Sequence, residues 1–125
     1  MSHGRMIRTG VVVEESKDAG PHKMIKVTAD GKQMDVKVLD FSGLSGSPLK
    51  DSEVLLLIPD DDDGRAYAIP LGPPTKDRVD GQKPGEVDVR NHKSGSSTKY
   101  KDGGNVETHA TADAIIKSDG KVYIN

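Results

Sequence analysis

The sequence predicts an all-β chain, with an N-terminal OB-type small barrel followed by an intertwined C-terminal β structure shared between chains. Three observations lead there. Roughly the first 72 residues hold about five short β-branched or alternating runs and no convincing helix. Gly72-Pro73-Pro74 then interrupts any strand ladder. The last third, residues 81–125, repeats a Gly-x-Val opening in Gly85-Glu86-Val87, Gly104-Asn105-Val106 and Gly120-Lys121-Val122. It has too few large apolar side chains for a core of its own, so each repeat must stack on neighbouring repeats or on other chains.

Residues 7–15 are β-branched and read as the first strand. Residues 16–22, with Gly20-Pro21, read as a loop. Residues 23–29 and 32–39 flank Asp30-Gly31, the strongest short hairpin signal in the chain. Met34, Val36 and Val38 alternate with Asp35 and Lys37, the pattern of a half-buried strand. The Gly/Ser-rich stretch 41–48 follows as a loop. Val54-Leu55-Leu56-Leu57-Ile58 is a continuous apolar run; it suits a strand buried on both faces and leaves a short buried helix open. The acidic turn 60–63 ends in Gly64, and residues 65–71 return as a strand. Five short strands closing on a small core suit a barrel, because closure removes exposed edges. The organisation expected is a barrel over residues 1–72, a Pro/Gly-rich linker over 73–84 and the tail over 85–125. Tail strands are expected at 86–91, 97–101, 105–117 and 121–125.

Composition narrows the function classes. A chain of 125 residues supports one domain plus an extension, or one small domain alone. It has no cysteine, which excludes disulfides and thiolate metal sites and leaves oligomerisation as the source of extra stability. Its net charge of −2 comes from mixed signs, with neither a basic field for nucleic acid nor a polybasic membrane patch. No apolar run approaches the ~20 residues of a membrane helix. Met1-Ser2-His3-Gly4-Arg5 lacks a following apolar segment, so no secretory signal is expected and synthesis is expected in the cytoplasm.

Candidate chemistry is thin. Measured as an EF-hand loop, Asp60-Asp61-Asp62-Asp63-Gly64 would put Pro59 first and Pro70 last, so it reads as a solvated turn. The glycines at 43 and 46 lack the Lys-Ser/Thr pair and following helix of a phosphate loop. His3, His22 and His92 stand in polar or turn surroundings without a nucleophile and an orienting acid. A hydrolase would need paired carboxylates in a cleft, and the chain has no room for such an insert. No catalytic residue is expected.

The order of parts resembles the baseplate spike proteins of Mu-like contractile-tailed bacteriophages, the baseplate assembly protein V family. The resemblance rests on the loop Asp40-Phe41-Ser42-Gly43-Leu44-Ser45-Gly46-Ser47-Pro48 followed by Leu55-Leu56-Leu57-Ile58-Pro59. In the tail it rests on Gly85-Glu86-Val87 with Asn91-His92, and on Ile116-Lys117-Ser118-Asp119-Gly120-Lys121-Val122-Tyr123-Ile124. It covers most of the chain through short motifs of common turn residues. It implies a homotrimer on the axis of a phage tail baseplate, in the virion. The barrel would dock on a hub protein at the end of the tail tube. A three-chain β-helix would point at the host, tipped in some cases by a separate protein, and would pierce the outer membrane on contraction. Related contractile injection systems use the same plan. Family members often hold iron between His-x-His pairs at the apex. Here Thr108-His109-Ala110-Thr111 offers a single His, so no metal or cofactor is expected, iron being the one the family would suggest.

Alternation assigns the faces of the tail independently. From Val106 the even positions, Val106, Thr108, Ala110, Ala112, Ala114 and Ile116, are small or apolar and suit a narrow three-fold interior. Together with Val122 and Ile124 they form the expected trimer core. Glu107, His109, Thr111, Asp113, Ile115 and Lys117 fall on the outer set, and a bulge near residue 110 would exchange the two. The competing reading is an OB-fold binding module for oligosaccharide or single-stranded nucleic acid. It needs a basic groove with stacking aromatics, where the barrel offers Phe41 and Tyr67.

Overall fold

β1 (Ile7–Ala19) is long enough to pair with two neighbours in turn. In the computed structural model, which describes residues 7–74 and 77–125, its first half pairs with β4 (Glu53–Leu57) and its second half with β2 (His22–Ala29), both antiparallel. Register shifts between Val12 and Glu14, and again between Glu14 and Lys17, curve the strand between these partners. The turn from β2 to β3 (Lys32–Val38) sets Ala29 opposite Lys32, with Asp30 at φ 52° and Gly31 at φ 76°. Two positive φ values in a two-residue loop match the right-handed twist of the strands, which is why Asp-Gly marks this hairpin. β5 (Tyr67–Pro70) runs antiparallel to β4 and parallel to β3, closing the barrel in the order β1-β2-β3-β5-β4. The protein is all-β, with the closed five-stranded barrel expected of its N-terminal part. Between β4 and β5, Pro59–Asp61 and Asp63–Arg65 form single 3₁₀ turns.

Inward positions of all five strands fill the barrel. Val12, Ile25, Val27, Val36, Val54, Leu56 and Ile58 are at most 2% exposed, and Ala29, Met34, Ala66 and Ala68 complete the core. Gly10 also faces inward. A Cβ there would lie 3.2 Å from the Thr28 carbonyl oxygen and 3.3 Å from Leu56 Cδ1, so a side chain at this crossing of β1 over the core would push its neighbours aside by a few tenths of an ångström.

The loop after β3 is tied to β2. Lys23 Nζ donates to Asp40 Oδ2 at 3.3 Å, Ser45 Oγ at 3.2 Å and the Gly46 carbonyl at 2.8 Å. Partial burial pushes the Asp40 carboxyl up, but the Gly46 N–H, the Ser45 hydroxyl and Lys23 outweigh it and hold it below its ordinary value.

Two sequence expectations for the barrel are corrected. The loop expected at 16–22 shrinks to Gly20-Pro21, because β1 continues to Ala19, opposite His22. That extension comes from backbone pairing, which the polar sequence there does not announce. The run 54–58 is not buried on both faces. Val54, Leu56 and Ile58 point inward while Leu55 and Leu57 point outward and stay half-exposed, since a single barrel covers only one face of its wall.

The compact units are 1–78 and 79–125, so the division falls inside the stretch expected to be a linker. Residues 75–76 of that linker, and the N-terminal residues behind the readings of His3 and of a leader, lie outside the described residues. The second unit is a three-stranded antiparallel sheet of β6 (Val87–Arg90), β7 (Ser97–Tyr100) and β8 (Val106–His109), with β7 in the centre. The strand expected over 105–117 thus ends at His109, and the one expected at 121–125 does not form within the chain. β8 is an edge strand, and among the described residues the backbone beyond it has no neighbouring strand to ladder against.

Candidate assembly surface

The first two Gly-x-Val repeats are the entries to β6 and β8. Gly85 and Gly104 both sit at φ 90°, where an L side chain is strained, and each lets the chain turn into its strand. Between Gly85 and Val87, Glu86 acts as a latch. Its Oε1 accepts the Lys83 N–H at 2.9 Å and its Oε2 accepts the Asp102 N–H at 2.9 Å, joining the lead-in of β6 to the turn between β7 and β8. Those two backbone N–H donors, helped by the charges of Lys101 and Lys83 and only partly opposed by desolvation, hold the carboxyl below its ordinary value.

A depressed carboxyl stabilises the fold above its unfolded-state pKa, and that contribution is lost as pH falls through the folded value. Amide exchange at Lys83 and Asp102 is therefore expected to accelerate selectively in acid. In Glu86→Gln, which keeps one acceptor oxygen, exchange should be fast at Asp102 or Lys83 even at neutral pH. Protection that ignores both pH and this substitution would remove the latch.

The turn between β6 and β7 is closed by Asn91, whose Oδ1 accepts the N–H groups of Lys93 at 2.9 Å and Ser94 at 3.1 Å. Register then sorts the side chains of the sheet. Val87, Tyr100 and Val106 stand opposite one another across the strands, as do Val89, Thr98 and Thr108. These six share one face, where the Thr98 and Thr108 hydroxyls lie 3.3 Å apart. The other face carries Asp88, Lys99 and Glu107 in one row and Arg90, Ser97 and His109 in the next. There Arg90 grips Asp88 with two hydrogen bonds, 3.1 Å from Nε and 2.7 Å from Nη2.

The two faces are covered in the reverse of the usual order. Asp88 and Ser97, on the polar face, are nearly buried. Val87 and Val89 (both 52%), Tyr100 (49%) and Val106 (61%), on the apolar face, are open. An apolar sheet face left open in this way is a candidate interaction surface.

Of the residues expected in the trimer core, Val106 and Thr108 lie on this apolar face, with His109 on the opposite one. Ala110 is half-buried just beyond β8, where the Thr111 N–H donates to Ser96 Oγ at 3.1 Å. Ala112, Ala114, Ile116, Val122 and Ile124 are exposed along the unpaired segment and are not brought together within one chain. Val87, Val89 and Tyr100 belong to the same surface and escape single-strand alternation. The signal that finds them is the pair of glycine-containing turns, which set the register between strands.

Around the acidic turn, Arg65 Nη1 lies 3.5 Å from Asp60 Oδ2, and the Gly64 N–H donates to Asp62 Oδ1 at 3.0 Å. Among the described residues, no three acidic or histidine side chains gather as metal ligands. No protein-family model matches the chain, and no curated protein matches it significantly.

Proposed function

We propose that the chain is a structural virion protein: the homotrimeric central spike of a contractile phage tail baseplate, which caps the tail tube and helps puncture the host outer envelope. The observation that carries this reading is the exposure of nearly every large apolar side chain of the tail. Beyond the open face of the sheet, Ile115 (73%), Ile116 (78%), Tyr123 (83%) and Ile124 (94%) stand in solvent in a single chain. Covering such a side chain contributes about 1.5–3 kcal/mol when burial is complete. A three-chain β-helix would supply that cover and would also pair the free edge of β8 and the backbone after it. The strand order of the barrel, with β3 and β5 parallel, supports the OB-type reading on which the hub cap rests. The phage setting rests on the family resemblance of the motifs around Asp40, Gly85 and Ile116.

The test is assembly. The chain should sediment at about three times its 13.4 kDa mass and resist SDS at room temperature. Ala112→Lys, placed on an exposed residue and so harmless to the isolated chain, should abolish the trimer if the even set of the tail lines the axis. A monomeric wild-type chain would end the spike reading. An Ala112→Lys trimer as stable as wild type would end the assignment of the even set.

A further inference from the structure

The tail sheet has two edges. The edge formed by β8 runs on into residues 110–125. The other, β6, has no strand on its outer side among the described residues. The Asn91 N–H donates to the Ser96 carbonyl at 2.9 Å, in the same register as Val87 with Tyr100 and Val89 with Thr98. The odd residues of β6 thus exchange their bonds with β7, and the N–H and C=O groups of Asp88 and Arg90 face outward along the free edge.

We infer that residues 112–117 of one copy add an antiparallel strand to the β6 edge of the next copy. The inference rests on the trimeric reading above and adds which element of one chain meets which element of another. With Ile116 opposite Val87, Ala114 falls opposite Val89, Asp113 opposite Arg90 and Lys117 opposite Glu86. Ile116 and Ala114 then extend the apolar face, and both charges of the segment meet opposite charges. Arg90 spends Nε and Nη2 on Asp88, and Nη1 has donors for a second carboxylate. Ile115 would lie over Asp88 on the other face. Other registers lose this match. A shift of two residues one way sets Asp113 against Asp88, and the other way it sets Ser118 against Val87. A slip of one turns the apolar set to the polar face. A parallel strand with Ala114 beside Val87 sets Asp113 beside Glu86 and Lys117 beside Arg90, like charges both times. The strand's own chain does not supply it. Four residue steps lead from His109 to Asp113 and span at most about 14 Å. The position beyond β6 lies three strand spacings from β8, also about 14 Å, and Thr111 is held on the way by its bond to Ser96 Oγ. No slack is left to round the end of the sheet, so the occupant is a second copy.

The chain has no cysteine, so a pair of introduced thiols reads the register. Val89 and Ala114 would form a non-hydrogen-bonded pair with Cα atoms about 4.5 Å apart, within disulfide range. Both are exposed in the single chain, so neither change disturbs its fold. In the full-length protein, mild oxidation of Val89→Cys/Ala114→Cys should give a three-chain band on a non-reducing gel, each copy bonded head to tail to the next. Val89→Cys alone and Ala114→Cys alone should stay unlinked, and Val89→Cys/Ala112→Cys, two residues out of register, should link far less. Sedimentation of the same samples separates the two levels of the argument. The pairing is overturned, and the trimer left standing, by a trimeric double variant that stays unlinked, closes its disulfide within one chain or links no better than the Ala112 variant. Linkage through either single thiol overturns the head-to-tail pairing in the same way. Monomers overturn the trimer and the pairing together.

Discussion

A chain shortened to end at Thr111 is expected to keep both of its sheets and to lose the trimer. The last residue of any intrachain ladder is His109, and the Thr111 N–H still reaches Ser96 Oγ, so the cut removes no internal strand pairing. It does remove Ile115, Ile116, Val122, Tyr123 and Ile124, each more than half exposed in the single chain. Sedimentation should fall from about three chain masses to one, with the β signature in circular dichroism kept. A shortened chain that remains trimeric would move assembly to the sheet face or the barrel. Loss of the β signature would mean that the segment supports its own chain.

Leu56→Ala, made in that shortened chain, should have the largest effect on stability. Leu56 is fully buried, lies between Arg8 and Ala68 in the ladders, and packs where Gly10 makes room for it. Removing it leaves a cavity that a barrel of this size cannot refill by shifting one strand. The loss expected is about 2–5 kcal/mol, from a total that is itself small for a domain of this length. Leu55→Ala, one residue away but facing out, should cost much less in the same background. Urea unfolding of the pair reads the difference directly. Equal losses would contradict the inward and outward assignment of β4.

The parts of the fold legible in the sequence are those written in side chains. Asp30-Gly31 announces its hairpin because the turn needs two positive φ values, and Met34, Val36 and Val38 announce their face by alternation. Ser16 to Ala19 cannot announce a strand, since their pairing is made by the backbone after two register shifts that break the period. The run from Val54 to Ile58 is ambiguous for another reason. Continuous apolar sequence suits cover on both faces, whereas the barrel covers one and leaves Leu55 and Leu57 half-exposed. The tail shows the same limit. Alternation from Val106 to Ile116 sorts side chains into two sets, yet a strand also requires a neighbour, and the described residues provide none past His109. Val87, Val89 and Tyr100 join the candidate surface only through register across turns, which no single strand encodes.

The barrel completes all of its ladders within one chain, through β1 pairing first with β4 and then with β2. On the trimeric reading, residues 110–125 find theirs only in other copies. The consequence is kinetic. Refolding from denaturant should separate into a phase whose rate ignores protein concentration, as β1 draws the barrel shut, and a later phase that quickens as concentration rises. Dilution would slow the second and leave the first untouched, so newly made chains would wait as folded barrels with unfinished tails until they meet. A single phase at every concentration would show that barrel and tail form in one event.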